Sequence, residues 1–372
     1  MLKVVHVTPV FDPILGGMER FIHDLASWGK RSGLFDSKVC LVQVNRDAGP
    51  TQYEIDGIPV RRLPKRPYQA LPDMGEYVRG ADVIHLHDPR LSGIVLHFAR
   101  HQYGIPTVLS THGGMFHTKR HSLLKQAYFR LVGPRLLSKL ERVIASSDSD
   151  ASVWSSVTTR LTTIENPMNF DLFHAAAARR PEQPASIVYF GRLARNKGLD
   201  QLIAAIANLN RRGMPVSLDI VGQDSDKLLE GLRRQVEADN VSQSVHFHGP
   251  LSDKRLLNVL GRCRFFASAS RYEGFGLAAV EAMAAARVPL LSAIPPFKAL
   301  VKDGEDGYLI DFGDAENAAS KISEIIQQPS STLENVALRA VERARGYGWA
   351  NRIEGFMKAY ELAIEMYEAR HP

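Results

Sequence analysis

Short β-branched apolar runs alternate with helix-patterned stretches from the first residue, and the alternation restarts after a break near residue 170. Strands are predicted over 4–7, 38–44, 83–86, 107–110 and 143–146, with a helix over 17–32. A second series predicts strands over 186–190, 217–221, 245–248 and 289–292 and helices over 199–211 and 227–238. Strands separated by helices pair in parallel, because a parallel crossover needs a long connection. Between the two series, residues 169–184 are small, polar and proline-bearing, which reads as an interdomain connection. A chain of 372 residues also exceeds one ordinary core. The expectation is an α/β protein of two tandem Rossmann-like domains: residues 1–170, a linker over 171–185, residues 186–350, and an amphipathic helix over 351–372.

Composition narrows the function classes. Hydrophobic residues make up 45% and charged residues 23%, and no apolar run approaches the roughly 20 residues that a membrane-crossing helix needs. The opening stretch is broken by His6 and Pro9 and reads as a first strand, not a signal peptide, so a cytoplasmic location is expected. Cys40 and Cys263 make no disulfide framework or cysteine metal site and read as buried thiols. The net charge of +6 sits mostly in the first half, where residues 1–171 hold 21 Lys and Arg against 16 Asp and Glu. Such a surplus attracts nucleic acid, anionic lipid or an acidic substrate. Nucleic acid is set aside because no basic stretch interleaves aromatics on a recognisable module.

Four segments carry chemistry. In 271–286, Glu273 lies in a turn with Gly274 and Gly276, a helix begins near Leu277, and Glu281 lies about one turn in. Glycines let backbone N–H groups approach an anion, and the helix N-terminus adds positive charge. In 191–198, Arg192 and Lys197 follow a strand, suited to a diphosphate, but the Walker spacing is absent. Gly16 and Gly17 follow the first strand beside Asp12, without the GxGxxG of a dinucleotide dehydrogenase. His112 follows another strand ahead of two glycines and is a candidate polar contact or acid–base group. His85 and His87 alternate along a strand, yet no partner cluster with ligand spacing stands nearby, so no metal is expected. The pairs Asp148/Asp150 and Asp224/Asp226 read as helix caps before cation ligands.

With these residues in order along nearly the whole length, the chain resembles retaining glycosyltransferase family 4, of the GT-B fold. Gly16, Gly17, His112, Arg192, Lys197 and the E-x7-E pair Glu273 and Glu281 match the family's motifs in the family's order. The resemblance implies two Rossmann-like domains facing each other across a cleft, with a nucleotide-sugar co-substrate and no metal or other cofactor. Arg192 and Lys197 would hold the donor diphosphate, helped by backbone N–H groups at Gly16, Gly17, Phe275, Gly276 and Leu277, with Gly274 in the same donor-binding turn. Glu273 would contact the transferred sugar, Glu281 the ribose and His112 the sugar, while Gly222 and Leu251 border the base. Asp12 is the candidate acceptor contact. Retention is expected to run on the front face of the sugar, because no second carboxylate suits the nucleophile's role.

The sequence departs from the family in Asn166-Pro167, in Arg287 where glycine is usual, and in the 292–298 segment with Pro295-Pro296-Phe297. That segment is similar to α-mannosyltransferases of bacterial exopolysaccharide assembly, which points to GDP-mannose ahead of UDP-glucose and UDP-N-acetylglucosamine. The implied acceptor is a polyprenyl-diphosphate-linked oligosaccharide or another glycan. Residues 117–142 carry seven Lys or Arg and one acidic residue among apolar ones, suited to peripheral contact with an anionic membrane. A nucleotide-sugar epimerase and a non-catalytic two-domain sugar-binding protein are the rival readings.

Overall fold

The computed structural model describes residues 1–11, 17–42, 51–63, 71, 73–88, 91, 93–112, 122–179 and 181–372, with side chains from Gln126 onward in the helix Ser122–Leu137. The chain forms two compact units, one of residues 1–167 with 349–372 and one of residues 168–348.

Unit 1 is built on an eight-stranded sheet. Its strands are β1 (Leu2–Thr8), β2 (Phe35–Leu41), β3 (Gln52–Ile55), β4 (Ile58–Arg62), β5 (Val83–Leu86), β6 (Thr107–Ser110), β7 (Arg142–Ala145) and β8 (Leu161–Thr163), in the order β3-β4-β2-β1-β5-β6-β7-β8. Only β3 runs antiparallel, hairpinned to β4 through Asp56 and Gly57, both at positive φ. That hairpin and β8 lie outside the predicted strands, being short and weakly apolar. Side chains alternate across the pleat, so Val5 and Val7 join one buried cluster with Phe98 and Leu137, while Val4 joins another with Phe21 and Ile22. The helix Gly17–Arg31 and the terminal helix Trp349–Glu368 cover the second face.

Unit 2 has six parallel strands: β9 (Ser186–Phe190), β10 (Ser217–Val221), β11 (Val245–Gly249), β12 (Phe265–Ser268), β13 (Val288–Ser292) and β14 (Tyr308–Ile310). Their order, β11-β10-β9-β12-β13-β14, is that of a doubly wound sheet. Ile187 and Tyr189 of β9 face one cluster and Val188 and Phe190 the other, as expected of a strand covered on both sides.

Two boundaries differ from the sequence reading. The expected linker 171–185 opens inside a helix, Phe170–His174, whose Phe170 and Phe173 are buried with Val280 and Met283 of unit 2. Proline and alanine around it hid two phenylalanine side chains that need a core. The terminal helix, set apart at 351–372, belongs to unit 1, where Trp349, Phe356 and Tyr360 are buried.

Candidate functional site

In unit 2 the strand order reverses at β9, between β10 and β12, and the loops leaving these strands define a switch point where doubly wound sheets bind ligands. Three glycines close those loops on one another. A Cβ on Gly222 would lie 1.7 Å from the Gly191 carbonyl oxygen, and one on Gly198 would lie 2.1 Å from the Ala269 oxygen. Gly198 also takes a left-handed φ of 60°. The loop after β9 is thereby held against the end of β12, where Arg271 N–H donates to the Asn196 oxygen (2.7 Å) and the Asn196 amide to the Tyr272 oxygen (3.0 Å).

This packing brings Lys197 to Glu273. The ammonium donates to Glu273 Oε1 at 2.6 Å, the Ser270 hydroxyl donates to the same oxygen at 2.7 Å, and the two charged side chains are only 16% and 12% exposed. Arg192 lies exposed at the end of β9, where Tyr189 donates its hydroxyl to the Arg192 carbonyl oxygen at 2.8 Å. Next along the chain, Gly276 has φ of 96° and opens the helix Leu277–Ala284, whose first hydrogen bonds run from Ala279 and Val280 N–H to the Gly276 oxygen, leaving the Leu277 and Ala278 N–H groups ahead of the helix ladder. A Cβ on Gly276 would meet Phe297 Cε1 at 2.5 Å. Phe297 is buried in the helix Pro295–Leu300, so the Pro-Pro-Phe departure is a rigid wall behind the glycine turn. Glu281, Gly222 and Leu251 are each half-buried. Leu251 borders an open depression of about 720 Å³ with His248, Arg255 and Asn258 on its lining. The depression does not include the Lys197–Glu273 pair.

Sequence reasoning missed Ser270, and it marked Phe297 as a departure without foreseeing its packing against Gly276. Ser270 sits between a strand end and Glu273, and a hydroxyl three residues before a carboxylate was the available signal. Arg287, the other departure, is 2% exposed and donates to the carbonyl oxygens of Ala285 (2.8 Å), Cys263 and Arg179 (3.4 Å). It ties helix ends together, and burial pushes its guanidinium pKa down to about 10.

In unit 1, Asp12 and Gly16 lie outside the described residues, and Gly17 opens the first helix after β1. His112 follows β6 at a positive φ of 51°, a strained conformation for a residue with a side chain. Its ring stands edge-on to Phe21, with centroids 4.9 Å apart, and its Nε2 lies 2.9 Å from Nδ1 of His87. Burial pushes the His112 pKa down to about 4, so the ring is neutral at pH 7.

The sequence reading found no partner cluster for His85 and His87, but the sheet supplies one. β1 and β5 pair in parallel with His6 opposite His85, and ring nitrogens of His6, His85 and His87 lie within 4.8 Å of one another. His6 is 81 residues from His87, so no spacing along the chain reveals it. The aspartate pairs divide. Asp224 caps the helix Leu229–Ala238 by accepting from Leu228 N–H (2.7 Å) and Leu229 N–H (3.1 Å). In the other pair Ser147 is the cap, and Asp150 accepts from the Trp154 indole (3.0 Å), Ser146 and Thr111.

The helix Ser122–Leu137 turns Phe129, Leu136 and Leu137 inward. Its apolar side is therefore core, and the outward side carries Arg130, Arg135 and a 66% exposed Leu131, followed by exposed Lys139. Among the described residues no helix is long and apolar enough to cross a membrane.

Residues 16–152 match the family model described as "Glycosyl transferase 4-like domain", and residues 173–346 match "Glycosyl transferases group 1". A GDP-mannose:cellobiosyl-diphosphopolyprenol alpha-mannosyltransferase of Komagataeibacter xylinus is 32% identical over 370 residues, covering 98% of this chain and 94% of the relative. A protein of the same name from Xanthomonas oryzae pv. oryzae is 30% identical, covering 98% and 97%. Among solved structures, sucrose-phosphate synthase from Thermosynechococcus elongatus aligns with a TM-score of 0.77 at 21% identity, over 97% of this chain and 98% of that one. HepE of Anabaena, solved with UDP and glucose, gives 0.76 at 17% identity, over 97% and 100%. With two Rossmann-like units, a cation–carboxylate pair at the switch point of the second, and relatives matched over nearly their full length, this chain belongs to the group 1, family 4-like glycosyltransferases of the GT-B fold.

Proposed function

We propose that this glycosyltransferase moves a mannosyl group from GDP-mannose, with retention and without a metal, to a polyprenyl-diphosphate-linked glycan. The observation that carries the reading is the Lys197–Glu273 pair, held by Ser270 where the loops of β9 and β12 meet. It stands in a chain 32% identical to a relative named for that donor and that class of acceptor. In this reading Arg192 and Lys197 neutralise the donor diphosphate, with backbone N–H groups at Phe275, Gly276 and Leu277 adding hydrogen bonds. Gly274 lies in that turn, and Gly16 and Gly17 contribute their backbone N–H groups from unit 1. Glu273 holds hydroxyls of the transferred sugar, Glu281 the ribose, and Gly222 and Leu251 flank the base. His112 contacts the sugar, and Asp12 receives the acceptor.

Charge grows on the diphosphate as the sugar–phosphate bond breaks, and preorganised cations stabilise that charge more than the ground state. The leaving diphosphate takes the proton from the acceptor hydroxyl while that oxygen bonds to the anomeric carbon on the face the leaving group vacates. No protein carboxylate forms a covalent intermediate in this course. Exposed Arg130, Arg135 and Leu131 support a peripheral approach to the anionic membrane that carries the acceptor.

The test is a binding and transfer panel of GDP, UDP and ADP sugars. GDP-mannose is expected to raise the melting temperature most, since ligand at 100 times its Kd stabilises by about 2.7 kcal/mol. An α-linked product by NMR, formed undiminished in EDTA, is the expected outcome. A β-linked product, EDTA-sensitive transfer, or preference for a UDP sugar would overturn the corresponding part.

A further inference from the structure

Every ring nitrogen of three buried histidines in unit 1 is engaged, and the engagements form an ordered row. Ser37 Oγ lies 3.1 Å from His6 Nε2, His6 Nδ1 lies 3.0 Å from His87 Nε2, and His87 Nδ1 lies 2.9 Å from His112 Nε2. His85 braces the row from the side. Its ring packs against His87 at a 35° tilt with centroids 4.1 Å apart, and its own nitrogens meet the Tyr360 hydroxyl (2.9 Å) and the Ser110 hydroxyl (2.7 Å). His6, His85 and His87 are wholly buried, and His112 Nδ1 has no hydrogen-bond partner among the described residues.

We propose that His6 and His87 are positioning residues for sugar transfer: the row running from Ser37 fixes the tautomer and tilt of His112, so that its Nδ1 faces the substrate as a hydrogen-bond donor. The inference rests on the reading of His112 as a sugar contact. The argument is one of proton counting. A neutral imidazole carries one N–H, so each ring in the row both donates once and accepts once, and all three bonds must run in the same direction. Burial pushes the pKa of His6 down to about 3 and those of His85 and His87 well below the ordinary value, so the rings are neutral at working pH. In the proposed direction the serine hydroxyl at the far end donates to the His6 Nε2 lone pair, the arrangement of serine–histidine pairs. His6 then donates from Nδ1 to His87, His87 donates from Nδ1 to His112 Nε2, and His112 carries its proton on Nδ1. The left-handed backbone at His112 and the edge-on Phe21 ring hold the plane that the row selects.

The same nitrogens fall within metal-binding distance of one another, but His85 spends both on Tyr360 and Ser110, and the His6–His87 contact is a direct hydrogen bond. A row of donors and acceptors accounts for every nitrogen, and a metal would displace it.

The experiment reads the imidazole tautomers by two-bond ¹H–¹⁵N correlation in the full-length protein, together with transfer kinetics. Wild-type His112 is expected as the Nδ1–H form. His6→Phe breaks the row, and Ser37→Ala removes its end without opening a large void; both are expected to mix the His112 tautomers. Both are also expected to lower kcat about tenfold or more, with the donor KM within about threefold. His6→Asn, whose amide can donate where Nδ1 did, is expected to recover part of that loss. An unchanged His112 tautomer in folded His6→Phe and Ser37→Ala overturns the proposal. So does one equivalent of bound metal whose chelation shifts the His6, His85 and His87 signals. Near-normal transfer by His112→Ala would sink the sugar-contact reading and with it the role of the row in transfer, whereas the tautomer measurement reports by itself whether the row fixes the His112 ring.

Discussion

Lys197 is not a loose cation awaiting a phosphate, because in the free protein its ammonium is neutralised by Glu273 in a mostly buried pair. Binding a diphosphate then means sharing that charge, and the two partners respond oppositely to mutation. Lys197→Met removes a charge-stabilising donor, so kcat is expected to fall by about 10²–10³-fold, about 3–4 kcal/mol, with circular dichroism unchanged. Glu273→Gln releases the ammonium and is expected to bind GDP alone roughly fivefold tighter, about 1 kcal/mol, while transferring sugar far more slowly. Calorimetry and initial rates check the pair; weaker GDP binding by Glu273→Gln would remove the shared-charge argument. The buried histidines make a second residue-scale prediction. A ring whose pKa falls from 6.5 to about 3 on folding binds fewer protons folded than unfolded, so stability rises with pH between those values. It is complete above about pH 6.5 and is lost as pH falls, by up to roughly 1.4 kcal/mol per pH unit for each such ring. Melting temperatures are expected to drop steeply from pH 6.5 to 5, where carboxylates barely titrate, and a flat profile would contradict neutral burial of His6, His85 and His87. The loops that carry Glu273, Arg192 and Lys197 were legible in the sequence because a glycine turn marks each, whereas the contact between Lys197 and Glu273 was not. The row was not, because parallel pairing of β1 with β5 sets His6 beside His85 across 79 residues that carry no spacing signal.

At the scale of elements, strands covered on both faces were the most legible, since uninterrupted apolar runs such as Ser186–Phe190 and Thr107–Ser110 leave few alternatives. Short edge pieces such as β3, β8 and β14 were not, because strands of three or four residues carry little pattern, and β3 and β8 are also largely uncovered. The helix Ser122–Leu137 shows a different limit: the sequence gives its charge but not which side faces in. Phe129, Leu136 and Leu137 belong to the core, so membrane affinity must come from Arg130, Arg135, nearby Lys139 and the single exposed Leu131. Each basic residue near an anionic surface contributes about 1 kcal/mol, so reversing two of them, Arg130→Glu with Arg135→Glu, is expected to weaken vesicle binding by roughly 30-fold or more. Sedimentation with phosphatidylglycerol vesicles at low salt measures it. Equal binding by the double variant would detach this helix from the membrane reading. Soluble-donor hydrolysis by the same variant is expected to stay at the unaltered protein's rate, since neither arginine belongs to the donor site.

Across the whole molecule, the two units differ in how the chain closes them. Unit 2 is one continuous segment, 168–348, with both core clusters drawn from within it. Unit 1 is discontinuous, since Trp349, Ile353, Phe356, Tyr360 and Ala363 of the terminal helix bury themselves with Val4, Phe21, Phe35 and Val83. Fully burying a large apolar side chain contributes about 1.5–3 kcal/mol, so losing the four large ones removes about 6–12 kcal/mol, comparable with the usual 5–15 kcal/mol of a whole domain. Residues 168–348 are therefore expected to fold alone, melt cooperatively and bind GDP through Arg192 and Lys197. Residues 1–167 alone are expected to expose an apolar sheet face and aggregate, and joining 349–372 to their C-terminus through a flexible linker is expected to restore a soluble, cooperatively melting protein. Tyr360→Phe in that fusion tests the packing more finely, because it removes the hydroxyl facing His85 and leaves the ring in the core. A soluble, cooperatively folded 1–167 fragment would show that the sheet closes without its returning helix, and the final 24 residues would then have to be explained by something other than stability.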